Sequence, residues 1–293
     1  MKETKMDTER LKVIDNIKKA IDCGDSFRKV ELNDHVVTDS ERRCVILPFD
    51  NLRRKPINRL KAKIAERIAN KQTARLNTHT EIVGLENALS VEGGAIITCN
   101  HFSIMDSTLI RLLVEKCDRK KKLYITVEES NVFMKGFFGF LMKNCNTLPI
   151  SPSTEYMAKN LMPAIKKVLS DGAFVLVYPE EEMWFNYKKP RELRGGAYHF
   201  AYSAGVPVIP CFVEMNERDT LDPLGFYEIS HTLHVMPPIY PNTALSKREA
   251  REDMRRRDRE AKRACYELAY GRSPDSDFSP EQDIAGYNKT TLL

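Results

Sequence analysis

No stretch of this 293-residue sequence stays apolar long enough to cross a membrane. The longest runs, such as Ala173 to Tyr178, fall far short of the roughly 18–20 residues that a spanning helix needs, so no transmembrane helix is expected. The opening residues, MKETKMDTER, lack the apolar centre of a signal peptide. The seven cysteines, at 23, 44, 99, 117, 145, 211 and 265, include no C-x-x-C pair, and their number is odd. That argues against a disulfide framework or a zinc site and for a reducing, cytoplasmic setting. The formal charge of +5 is too small a surplus to suggest nucleic acid as a partner. There is no G-x-x-x-x-G-K phosphate loop, no dinucleotide fingerprint, no metal-ligand spacing and no G-x-S-x-G nucleophile elbow. No metal or tightly bound cofactor is therefore expected.

What the chain does have is enough apolar material, 42% against 30% charged, to bury a core. Its first part, residues 1–78, is rich in charge and poor in strand signals. Within it, Ile57, Leu60, Ile64 and Ile68 recur at helical spacing behind Pro56. Around them stand Arg53, Arg54, Lys55, Arg59, Lys61, Lys63, Arg67, Lys71 and Arg75, opposed only by Glu66. A basic amphipathic helix over about 56–76 has two readings. It packs its Ile/Leu stripe on the next domain, or it lies on an anionic membrane surface.

From residue 79 to about 270, short apolar runs alternate with helical stretches. Strands are predicted at Glu81–Val83, Ala95–Cys99, Leu123–Val127, Thr147–Ile150, Phe174–Tyr178, Val208–Val213 and Leu233–Met236. Helices are predicted over Ser103–Lys116, Glu155–Ser170 and Gly196–Ala204, and another starts at Ser246, where Glu249 completes a capping box. Continuous Val/Ile/Leu strands between helices indicate an α/β fold with a mostly parallel sheet covered on both faces. The N-terminal extension is helical, and residues 271–293 read as a polar, frayed tail.

Chemistry is best sought in Ala95-Ile-Ile-Thr-Cys-Asn-His-Phe-Ser-Ile-Met-Asp106, because open α/β sheets bind ligands at the carboxyl ends of their strands. An imidazole oriented by a carboxylate activates a hydroxyl at neutral pH. Five residues apart, His101 and Asp106 do not share a helical face. They meet only if His101 lies in the strand-to-helix turn and Asp106 in the first turn of the helix, with Ser103 as N-cap. The same spacing fits a plain helix start, with Asp106 favoured there by the helix dipole.

Asn100-His-Phe-Ser-Ile-Met-Asp106 resembles the N-H-x-S-x-x-D block of the PlsC-like glycerolipid acyltransferases. Lys135-Gly-Phe-Phe-Gly-Phe-Leu-Met-Lys143 with Leu148-Pro-Ile150 is similar to the family's second block, and Val177-Tyr-Pro-Glu180 to the start of its third. Arg194-Gly-Gly-Ala-Tyr-His-Phe-Ala and Ala204-Gly-Val-Pro-Val-Ile-Pro210 are similar to the helix and strand that close the pattern. The four blocks stand in order over about residues 80–236.

The resemblance implies transfer of a fatty acyl group from an acyl thioester, on coenzyme A or an acyl carrier protein, to a lysolipid hydroxyl. His101 would be the general base and Asp106 would hold its tautomer, with no acyl-enzyme. Cys99 reads as a core thiol rather than a nucleophile. Asn100 would shape the site and Glu180 would help place the acceptor.

Two departures bear on the acceptor. Glu181-Glu182-Met183 stand where the family has Gly-Thr-Arg, and Ser151-Pro-Ser replaces an expected arginine of the second block. Those arginines would hold an acceptor phosphate, which three consecutive carboxylates at 180–182 would repel. The acceptor is then expected to carry an amine or a hydroxylated headgroup, or to have its phosphate held by Lys143, Arg191 or Arg194. The aromatic run from Phe133 to Met142 suits either a membrane interface or a core. Two other functions stay open on the sequence: a catalytically silent lipid-binding homologue, and an acyl-thioester hydrolase in which the same pair activates water.

Overall fold

The computed structural model describes residues 3–32, 37–38, 40–41, 56–118 and 121–288. Along the chain come α1 (Glu3–Asp22), α2 (Pro56–Leu76), β1 (Glu81–Val83), α3 (Leu85–Leu89), β2 (Ala95–Thr98) and α4 (Ser107–Cys117). β3 (Leu123–Glu128) is followed by a 3-10 turn (Glu129–Phe133), α5 (Gly136–Asn144) and β4 (Thr147–Ile150). Next are α6 (Thr154–Tyr156), a π-helical segment (Met157–Leu161), α7 (Met162–Ser170), β5 (Phe174–Val177) and α8 (Gly196–Ala204). β6 (Val208–Leu221), β7 (Tyr227–Val235), α9 (Lys247–Tyr270) and α10 (Pro280–Asp283) close the chain.

The seven strands run in the order β1-β7-β6-β2-β5-β3-β4. Every pairing is parallel except β6 with β7, so the expected α/β fold is the one observed. β2 sits at the centre, and all four of its residues are buried. Successive strand residues point to opposite faces. Ile97 therefore joins the core under α4, with Leu109, Ile110 and Leu113, while Ile96 joins the core of α7 and α8, with Ile165, Leu169, Ala197 and Tyr198. An apolar run without polar alternation is what such double burial demands.

The sheet extends beyond the sequence prediction at β6 and β7. Past Val213, β6 becomes polar and mostly exposed, so no apolar run marked it. A turn joins the two strands, with Asp222 Oδ1 accepting from the N–H groups of Leu224 (2.8 Å) and Phe226 (3.1 Å).

α2 forms where the spacing placed it, but it docks by a different stripe. Ala65, Ala69, Thr73 and Asn77 are buried, on the side that meets α4 and α5. Asn77 Nδ2 also donates to Thr108 Oγ1 at 3.1 Å. Small residues let the helices approach closely. Of the expected stripe, Ile68 is half-buried and packs with Ala65, Ala69 and Leu141, while Ile57, Leu60 and Ile64, roughly 150° round the helix from the buried residues, stay exposed.

The tail is not frayed through residue 288. Ile284 and Ala285 are fully buried, and Ala285 N–H donates to Asn186 O at 2.9 Å. Buried Asp283 is paired with Lys189 at 3.0 Å. A tail whose few apolar residues are adjacent and whose buried charge is matched elsewhere looks polar when averaged along the sequence.

A buried ion pair ties α9 to the central strand. Asp258 and Lys262, one turn apart and both wholly buried, bond to each other and to Thr98. Thr98 Oγ1 donates to Asp258 Oδ2 at 2.7 Å and accepts from Lys262 Nζ at 2.8 Å. Tyr198 OH on α8 donates to Asp258 Oδ2 at 2.6 Å. Removing one partner leaves the other charge buried and uncompensated. Asp258→Ala is expected to lower stability by about 3–5 kcal/mol in urea unfolding, and the double change Asp258→Leu with Lys262→Met to recover most of it. A loss below about 1 kcal/mol for Asp258→Ala would mean that the pair is not closed in solution.

Candidate active site

β2 stops at Thr98 because Asn100 takes over the pairing with its side chain. Asn100 Nδ2 donates to Val213 O at 3.2 Å, and Val213 N–H donates to Asn100 Oδ1 at 2.8 Å. The amide substitutes for a peptide group across β6. Asn100, expected to shape the site, is buried and holds the turn that presents His101.

That turn closes on the Asp106 carboxylate. Its Oδ2 accepts from the N–H groups of Phe102 (3.0 Å) and Ser103 (3.2 Å) and pairs with His101 Nδ1 at 2.7 Å. Its Oδ1 accepts from Tyr178 OH at 2.6 Å. Asp106 stands at the N-cap position of α4, yet its side chain makes no capping bond to the helix. It reaches back instead, so neither the expected start of the helix at Ser103 nor the capping role of that serine is observed. Facing a carboxylate, Nδ1 carries the imidazole proton. The lone pair is then on Nε2, which has no protein partner in the described structure.

Tyr178 completes the group, although the sequence reading gave it no role. Its ring stacks on His101, with centroids 4.0 Å apart and planes 16° off parallel. Burial, reinforced by Asp106, pushes its phenol well up, so it remains a proton donor to the carboxylate. β5 lies beside β2 with Val177 opposite Thr98, which sets Tyr178 level with the turn that carries His101. Its place immediately before Pro179-Glu180 was the only signal in the sequence. His231 on β7, with its ring 5.5 Å from that of Phe102, was likewise unforeseen. Burial pushes its imidazole down to about 4, against a smaller upward pull from Asp106.

Glu180 holds backbone rather than acceptor. Its Oε2 accepts from the N–H of His101 at 3.3 Å, and its Oε1 from the N–H of Arg191 at 3.0 Å. Its charge is met by the Arg191 guanidinium at 3.2 Å. Arg191 is itself buried. It donates to Ser26 O (2.8 Å) and Glu182 O and packs over the Trp184 ring at 4.4 Å, so it is not free to hold a phosphate. Trp184 N–H in turn donates to His101 O at 3.0 Å.

Glu181, in the left-handed backbone region at φ 61°, pairs at the surface with Arg194 at 3.2 Å. Arg194 also covers the Phe27 ring at 3.7 Å. Two of the three carboxylates expected to repel a phosphate are thus neutralised. Lys143 stands apart, exposed in the last turn of α5, with no bond to the His101 group. Burial pushes the Cys99 thiol well up, which leaves it inert as a nucleophile. Among the described residues, no three His, Cys, Asp or Glu side chains gather to hold a metal.

Residues 79–214, from just before β1 into β6, match the model of the family named Acyltransferase. Over that stretch the chain is similar to the acyltransferases. Among solved structures the chain is similar to the 1-acyl-sn-glycerophosphate (LPA) acyltransferase PlsC from Thermotoga maritima. That match has 19% identity and a TM-score of 0.48, over 80% of this chain and 88% of that one. No curated protein sequence matches the chain.

The arrangement gives the segment an imidazole with one nitrogen locked against Asp106 and the other open at the sheet edge. His231 adds a pH dependence of folding. Between its folded value of about 4 and the ordinary 6.5, the unfolded chain takes up a proton that the folded chain refuses. Stability therefore falls as pH drops through that window, by about 1–3 kcal/mol. His231→Gln is expected to remove that part of the slope when urea midpoints at pH 7 and pH 4.5 are compared. Equal slopes in the two proteins would show that His231 is not held neutral.

Proposed function

We propose that the chain transfers a fatty acyl group from an acyl thioester to a hydroxyl of a lysophospholipid or related lipid acceptor. The observation that carries this reading is the bond from His101 Nδ1 to Asp106, closed by Tyr178 and two backbone N–H groups, with Nε2 left open. Nε2 takes the proton of the acceptor hydroxyl as its oxygen attacks the thioester carbonyl. Asp106 stabilises the imidazolium so formed, and collapse of the tetrahedral intermediate expels the thiolate, which recovers the proton from Nε2. No acyl-enzyme forms, since the nearest thiol is the buried Cys99.

The headgroup follows from what the third-block loop lacks. Arg191 is spent on Glu180, and Arg194 is tied to Glu181 at the surface. A loop with no free arginine suits an acceptor bearing an amine or hydroxyl better than a bare phosphate monoester. Thiol release from acyl-CoA or an acylated carrier, measured over a panel of lysolipids, is expected to depend on acceptor. It should fall about 10²–10⁴-fold in His101→Ala. Release without acceptor would make the protein a hydrolase. An unchanged His101→Ala would sink the mechanism, and strong preference for lysophosphatidic acid would sink the headgroup reading.

The lipid is met at a membrane surface on the cytoplasmic side, through α2. The exposed Ile57, Leu60 and Ile64 stand among Arg59, Lys61, Lys63 and Arg67. α5, packed beside α2, adds exposed Phe137, with Met134 just ahead of it. Apolar side chains ringed by cations bind anionic interfaces. Flotation with anionic liposomes at low salt is expected, and Ile57→Ser with Leu60→Ser should weaken it about tenfold or more. Failure of the wild type to float would exclude α2 as an anchor.

A further inference from the structure

On the face of the sheet opposite α4, three arginines of α9 line a cavity of about 390 Å³ against the start of α8. Its walls are Gly195, Gly196, His199, Arg248, Arg251 and Arg255, with Glu252 as the one acidic residue. Glu252 is committed to Arg255, at 2.6 Å, and Arg255 also donates to Leu193 O at 3.1 Å. Arg251 Nη1 donates to His199 Nδ1 at 3.1 Å, so that nitrogen accepts. Arg248 makes no ion pair or hydrogen bond within the described residues.

The cavity therefore presents two positive charges without a carboxylate to match them. Burial pushes His199 down, and Arg251, Lys247 and Lys166 push in the same direction, as expected where cations already crowd a site. The first turn of α8 has neither an acidic residue nor a side-chain cap, which leaves its N–H groups open toward the same space.

We infer that this cavity binds the phosphate of the phosphopantetheine arm that carries the acyl thioester, an inference that rests on the acyl-transfer reading above. Forked guanidinium groups are suited to phosphate oxygens. One feature favours the donor over the lipid. The cavity is on the α7–α9 side of the sheet, whereas α2, with its exposed apolar stripe, packs on the α4 side. A water-borne donor and a membrane-borne acceptor then approach His101 from opposite faces.

The cavity wall is also continuous with the catalytic edge. Arg194 N–H, just before Gly195, donates to Pro179 O at 2.8 Å, and Pro179 follows Tyr178, which stacks on His101. A phosphate anchored here has the length of the pantetheine arm in which to bring its sulfur to the base. Coenzyme A and an acyl carrier protein share this chemistry.

The test is calorimetric titration of the full chain with coenzyme A and with a phosphopantetheinylated carrier protein, using phosphate-free pantetheine as the control. The same titrations are made on Arg248→Gln and on Arg248→Ala with Arg251→Ala. Each charge-assisted bond lost is expected to weaken binding about tenfold, and pantetheine is expected to behave alike in all three proteins. Arg248 is exposed and unpaired, so its substitution leaves the fold intact.

In turnover, the KM for the donor should rise while kcat and the KM for the lysolipid stay within about threefold. Weakening with only one of the two donors supports the site and names its source. Unchanged affinity for both overturns it, as does a rise in the lysolipid KM alone. If Arg248→Gln weakens coenzyme A binding but the wild type turns over no acceptor, the pocket stands and the acyl-transfer reading fails.

Discussion

The Asp106 carboxylate is the constraint on which the rest of the site depends. Four donors converge on its two oxygens, from His101, Phe102, Ser103 and Tyr178. Two are backbone groups of the turn that carries the histidine, so one side chain sets both the path of the loop and the tautomer of the imidazole. Charge-assisted bonds of this kind are among the stronger ones in proteins. They leave the imidazole few ways to reorient. Stacking by Tyr178 limits the ring further, and leaves Nε2 as the only open position on it.

Around that centre the protein spends its charged groups on scaffolding. Glu180 and Arg191 are buried against each other, and the carboxylate holds the N–H of His101. Arg191 bonds to Ser26 O and Trp184 Nε1 donates to Arg28 O at 3.0 Å, which binds the segment after α1 to the same loop. Val13, Ile14 and Ile17 of α1 pack with Trp184, Tyr187 and Ile284 in one apolar cluster. The N-terminal extension and the C-terminal segment thus meet on the loop behind His101. Below the turn, Thr98 is anchored by Asp258 and Lys262, and beside it Asn100 is anchored by Val213. The active edge is fixed from three directions by buried polar groups whose partners are all internal.

The sheet also separates two kinds of surface. The α4 side carries α2, with exposed isoleucine and leucine among cations, while the α8–α9 side carries arginines around a cavity. His101 lies between them at the carboxyl end of the central strand, where both faces open. The division fits the acyl transfer proposed above, whose two substrates come from different phases.

The sequence alone determined the α/β fold and the meeting of His101 with Asp106. Continuous apolar runs such as Ala95 to Thr98 signal strands buried on both faces, and Ser246 with Glu249 does form a capping box. Five residues let His101 and Asp106 meet across one strand-to-helix turn, and that is a local matter. Only the tertiary structure decided what each surrounding polar residue does. Tyr178 reaches Asp106 because β5 lies beside β2, and His231 comes near because β7 turns back along β6. Glu180 proved to be a backbone support because Arg191, eleven residues on, folds over it. Asn100 proved to be a strut because Val213 lies across from it. α2 buries Ala65 and Ala69 rather than Ile57 and Ile64 because close helix packing favours small side chains, and a periodic pattern cannot say which of two stripes a neighbour will cover. Local spacing is written along the chain, whereas the partner of a buried charge is chosen by strand order and register.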